Sequence, residues 1–155
     1  MTRLLATLVL ILVTPIAQAQ MAPRDGWSVI ATDKDYDTLI DAVKSAARAN
    51  SMGVVTQAGP TGAAANRGIT IPGNRVIGLF NNVYAVNILN LSTPAMIEAP
   101  VRMYVTENTD GTATLSYKRP STVFAPYMQE AGPELARLAD ELDTIFATIS
   151  TQAAQ

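Results

Sequence analysis

The sequence predicts an α+β two-layer sandwich, an antiparallel sheet with two helices on one face, in the order β-α-β-β-β-β-α. Three observations carry this. Residues 99–120 alternate between apolar and polar on both sides of an Asp-Gly turn. Residues 36–49 and 133–149 repeat apolar side chains at helical spacing. Between them lie short β-branched runs bounded by Gly, Pro and Asn.

The first expected strand is 26–31, GWSVIA, with Trp27 and Val29 on one face. A helix follows, because Tyr36, Leu39, Ile40, Val43, Ala46 and Ala47 line one side of a 3.6-residue repeat. Asp35 suits its N-cap, Asp37 suits its positive end, and Asn50 and Gly53 suit its stop. The Asp33-x-Asp35-x-Asp37 spacing copies the opening of a calcium loop. Such a loop needs Gly at its sixth position and Glu at its twelfth, and these are Thr38 and Lys44. Capping is the reading that stands.

Residues 53–57, GVVTQ, form an expected second strand, and 58–68, AGPTGAAANRG, a loop or a loop with one helical turn. It matches neither the phosphate-loop nor the dinucleotide glycine pattern. A third strand, 75–80, is entered through Pro72-Gly73. In 83–97, Tyr84, Ile88 and Leu91 sit at helical spacing and Pro94 opens a second turn.

The hairpin has enough pattern to fix its register. A two-residue Asp110-Gly111 loop sets Val105 opposite Ser116 and mixes the faces. A three-residue Thr109-Asp110-Gly111 loop sets Val105 opposite Leu115 and Met103 opposite Tyr117, gathering the apolar side chains on one face. Gly111 then takes the left-handed position, which glycine adopts without penalty. The outer face receives Thr106 against Thr114, Tyr104 against Ser116, and Arg102 against Lys118.

After Pro120 a loop passes Phe124 and Tyr127, and Pro133 opens the last helix. Leu135, Leu138, Leu142, Ile145, Phe146 and Ile149 form its apolar stripe. Residues 151–155 are expected to be a flexible tail.

The N-terminus reads as a leader. Arg3 precedes an apolar run over 4–13, and Ala17-Gln18-Ala19 offers a small-residue cleavage site. About ten apolar residues fall short of the roughly twenty that span a bilayer. The expected organisation is a signal peptide over 1–19, a single α+β domain over 20–150, and the tail. The expected location is periplasmic or secreted, with no membrane association after cleavage. The chain has no cysteine, so it holds no disulfide and no lipid-modified cysteine. Cleavage leaves ten Lys and Arg against thirteen Asp and Glu, a balance that argues against a nucleic-acid partner.

Histidine is absent as well. Ser-His-Asp and Cys-His nucleophiles are excluded, and so are metal and haem sites that need His or Cys ligands. No motif calls for a cofactor or a metal. The preferred reading is an exported, non-catalytic binding module. It holds a small anionic ligand through Arg102, Lys118 and Tyr104, with Asn82 near a strand end. The motivating feature is a cross-strand pair of like charges beside an aromatic ring. A second reading makes the same sheet face the interface of a homodimer, with Glu98 or Glu107 as the partner of Arg102. A third is a carboxylate-dependent hydrolase built on Glu98, Glu107 or Asp110.

The runs VIGLFNN, NIL, EAPVRMYVTEN, DG and SYKRP resemble the bacterial domain-of-unknown-function family numbered 302, over roughly residues 39–127. The family's Phe-Gly-Asn-Pro segment is matched by Phe80 and Asn82. Its strand entry is matched by Pro100, Val101 and Arg102, and its strand exit by Ser116, Tyr117 and Pro120. The resemblance implies a β-α-β4-α domain of the TATA-binding-protein-like type, often dimeric. Two positions depart from the pattern. Thr56–Gly59, TQAG, stands where many relatives carry Asp-His, and Val83 replaces the segment's proline.

Overall fold

The computed structural model describes residues 21–155; the leader expected over 1–19 lies outside the described residues. The sandwich is as expected. One sheet of five antiparallel strands is built from β1 (Trp27–Ala31), β2 (Gly53–Ala58), β3 (Asn74–Phe80), β4 (Val101–Glu107) and β5 (Ala113–Lys118). Their spatial order is β1-β5-β4-β3-β2, so the hairpin strands β4 and β5 lie inside the sheet and β1 and β2 form its edges. A bulge interrupts β2 between Val54 and Thr56.

Hairpin parity decides which face is dry. Met103 lies opposite Tyr117 and Val105 opposite Leu115, the register that a three-residue loop requires. The Asn108 N–H donates to Thr112 O at 2.8 Å, closing the loop, and Gly111 holds φ +85°. Ile77, Leu79, Val101, Met103, Val105, Leu115 and Tyr117 are buried on this face.

Two helices cover that face. Helix α1 (Tyr36–Ala49) is started by Asp35, whose carboxylate accepts from the Thr38 N–H at 2.9 Å and the Thr38 hydroxyl at 2.8 Å. It buries Leu39, Ile40, Val43, Ala46 and Ala47. The last helix, α6 (Pro133–Ala154), buries Leu135, Leu138, Leu142, Phe146 and Ile149. The Phe146 ring packs on Tyr117 with centroids 5.6 Å apart. Residues 151–154, expected as part of a flexible tail, continue α6 instead. Two alanines extend the stripe, Ala139 and Ala153, both fully buried and too small to stand out as apolar in the sequence.

Shorter helices fill the connections. The glycine-rich loop holds one short helix, α2 (Thr61–Ala65), and α3 (Asn82–Leu91) is followed by a 3₁₀ segment over Pro94–Glu98. Where a plain loop was expected after Pro120, the chain forms α4 (Pro120–Phe124) and α5 (Met128–Ala131). Asp143 on α6 accepts from the Ser121 N–H at 2.9 Å and the Ser121 hydroxyl at 2.6 Å, tying α4 down.

Close packing fixes one glycine. A Cβ on Gly78 in β3 meets Thr56 Oγ1 at 2.2 Å and Pro100 Cγ at 2.7 Å. Strand β3 therefore passes between β2 and the entry to β4 with no room for a side chain there. None of the helices among the described residues is long and apolar enough to cross a membrane.

Candidate functional site

The face of the sheet away from α1 and α6 carries the candidate site. The strand registers arrange it in cross-strand rows. Trp27 lies opposite Lys118, Arg102 continues that row from β4, and Arg102 in turn lies opposite Gly78. The next row runs Val29, Ser116, Tyr104, Val76 and Ala58. These rows do not form a flat, solvated surface. A cavity of about 680 Å³ opens on them, lined by Trp27, Val76, Arg102, Tyr104 and Lys118 among others, with Ala58, Gly59 and Pro60 toward the β2 side. Such a volume falls within the range of small-molecule sites.

Sequence parity brought three of the four candidate residues together. Arg102, Tyr104 and Lys118 all line the cavity; Asn82 does not. Asn82 is the first residue of α3, whose N-cap is Asn81. The Asn81 side chain accepts from the Val83 N–H at 2.9 Å and the Tyr84 N–H at 3.4 Å. The Asn-Asn pair thus marks a helix start.

Trp27 is the residue that sequence reasoning missed. Its strand and its parity were legible, but period two does not say which strand becomes its neighbour. The pairing of β1 with β5 brings Trp27 beside Lys118, whose Nζ stands 5.8 Å from the ring centroid. Arg24 stands over the same ring, with its guanidinium carbon 5.3 Å from the centroid. A turn closed by the Trp27 N–H to Arg24 O, 3.1 Å, holds the chain there. Among the described residues none of Arg24, Arg102 and Lys118 forms an ion pair.

The carboxylates are engaged elsewhere or spread out. Glu98 lines the cavity and accepts from the Tyr127 hydroxyl at 2.8 Å; that bond, with burial and the charge of Glu98, raises the Tyr127 pKa. Glu107 accepts from the Gly73 N–H at 2.6 Å beside a second cavity of about 500 Å³, which lies against Met21, Ala22 and Arg24. Asn74 and Tyr104 line both cavities. Glu98 precedes β4 and Glu107 is its last residue, and the strand between spans about 20 Å at the usual rise per residue. Paired-carboxylate hydrolysis uses roughly 5–9.5 Å. Among the described residues no three His, Cys, Asp or Glu side chains group as metal ligands.

On this face the small side chains Thr114 and Ser116 of the interior strand β5 are buried, while Arg102 and Lys118 are exposed. The Thr114 hydroxyl donates to Asn108 Oδ1 at 3.0 Å, whereas Ser116 Oγ has no protein partner.

The family profile described as "Domain of unknown function DUF302" matches residues 28–150. The chain is also similar to a solved structure, an uncharacterised conserved DUF302 protein from Bacillus stearothermophilus. The two are 14% identical, with a TM-score of 0.72 over 85% of this chain and 100% of that one. At that identity the likeness is one of fold. No curated protein matches the chain.

Proposed function

We infer that this chain, which belongs to the DUF302 family of domains of unknown function, is an exported, non-catalytic module that binds a small anionic ligand in the outer-face cavity. The carrying observation is electrostatic. Arg102 and Lys118 line one side of the cavity and Arg24 stands over the Trp27 ring of its wall, all three without ion-pair partners among the described residues, in a chain of formal net charge −2. Like charges held close together repel unless an anion sits among them. Export is supported by the apolar 4–13 run and the Ala17-Gln18-Ala19 site. The lack of histidine and cysteine, and the distance between Glu98 and Glu107, support binding over catalysis.

Self-association is the second reading. The sheet face suits it poorly, since Glu98 and Glu107 already accept from Tyr127 and Gly73. A different observation favours it. Residues 76–97 carry no charge, and Val83, Val86 and Leu89 of α3 stand 67%, 46% and 45% exposed. A two-fold interface sets a patch against its own copy, and an uncharged apolar patch meets itself without repulsion.

Native mass spectrometry of gently purified protein tests both readings in one spectrum. A reproducible added mass, lost in the Arg102→Ala/Lys118→Ala variant, is expected. A dimer without added mass, unchanged by that variant, would overturn the binding reading in favour of self-association.

A further inference from the structure

We propose that the outer-face cavity takes an amphipathic monocarboxylate: an apolar body about 10 Å long carrying one carboxylate. This rests on the reading of that cavity as an anion site and narrows its ligand class. The cavity is two-ended. Arg102 and Lys118 lie in the row that contains Trp27, while Val76 and Ala58 lie one row on and toward β2. At the usual spacing of neighbouring strands, the path from β4 to β2 covers about 10 Å. A charge at one end and apolar surface along the rest matches a ligand with one headgroup and a hydrocarbon body.

Three features argue against other anions. A volume of about 680 Å³ is far larger than an inorganic anion needs, and its walls are mainly apolar and aromatic. Phosphate sites rely on cradles of backbone N–H groups. Here the turn at the β2 end is Gly59-Pro60, and proline has no N–H to give. Among the described residues, the end of the cavity toward Val76 and Ala58 offers no cation, so a second negative group on the ligand would lose its water there without a charged partner.

Trp27 is the sole tryptophan of the chain and forms part of the cavity wall, so its fluorescence reports occupancy directly. The experiment titrates the wild-type protein with octanoate, octanol, octanedioate and inorganic phosphate. Calorimetry repeats each titration, and circular dichroism confirms that each variant is folded. Octanoate is expected to bind at least about tenfold more tightly than octanol or octanedioate, the difference one charge-assisted contact makes. Phosphate is expected to produce no response at the same concentrations. In Arg102→Ala/Lys118→Ala, octanoate is expected to fall to the level of octanol.

Phosphate or octanedioate binding as tightly as octanoate, and lost in the double variant, would overturn the monocarboxylate class and leave the anion site standing. Octanol matching octanoate, with the double variant unaffected, would overturn both. So would silence from all four probes in both measurements.

Discussion

At the scale of single residues, the outer face depends on side chains that are missing as much as on those present. Gly78 continues the row of Trp27, Lys118 and Arg102, and its neighbours Thr56 and Pro100 already occupy the space that a Cβ needs. Gly78→Ala drives a methyl group into the Thr56 hydroxyl and the rigid Pro100 ring. It is expected to cost about 1–3 kcal/mol, read as a lower denaturant midpoint in chemical unfolding. Had the position been merely flexible, the loss would stay near the glycine-to-alanine propensity difference, with the opposite sign. Sequence pattern located Arg102, Tyr104 and Lys118 because alternation reports which way a side chain points. It could not locate Trp27 beside them, because its partner Lys118 is on a strand remote in sequence. Asn82 does stand near the end of β3, yet it does not line the cavity. The polar pair after the apolar run both leaves the strand and starts α3, through the hydrogen bonds of Asn81.

At the scale of elements, two short-range devices set boundaries and share one pH signature. Asp35 starts α1 and is held below its ordinary value of 3.8 by hydrogen bonds from the Thr38 backbone and hydroxyl. Asp110 in the hairpin loop is likewise lowered, by the Thr112 hydroxyl and N–H. Folding thus favours both carboxylates. Their contribution is complete above the unfolded value near 3.8 and is lost as the pH falls through the lower folded values. Melting curves of wild type and Asp35→Ala should differ at pH 6, with the variant several degrees lower. The gap should close as the pH drops below the ordinary carboxylate range. A gap that persists in acid would show that the cap acts through something other than its charge. These elements were legible because their signals are local: a cap three residues from its donor, a glycine at a loop's left-handed position, an apolar stripe on α6. The short helices α4 and α5 were not legible. α4 opens at Pro120 and is held by Asp143 on a helix further along the chain, and α5 is tied through Glu130 to the Ser92 hydroxyl, far back in the sequence.

For the whole molecule, the layer plan followed from pattern, whereas the strand order β1-β5-β4-β3-β2 did not. That order also sets a sequence of events in time. The hairpin joins β4 and β5 across a three-residue loop, and β2 and β3 are joined within one short stretch of chain. β1 instead closes a circuit of most of the domain to reach β5, and it has a neighbour on one side only. Entropy makes such a closure late, and a single neighbour makes it the first to reopen. Hydrogen exchange should therefore find the β1 amides less protected than those of β4, in a separate, less stable cooperative unit. Equal protection would mean that β1 opens only when everything does. Because Trp27 rides on β1, the cavity has a long-lived floor and a short-lived wall: a site that breathes at one edge while the rest of the sheet stays shut.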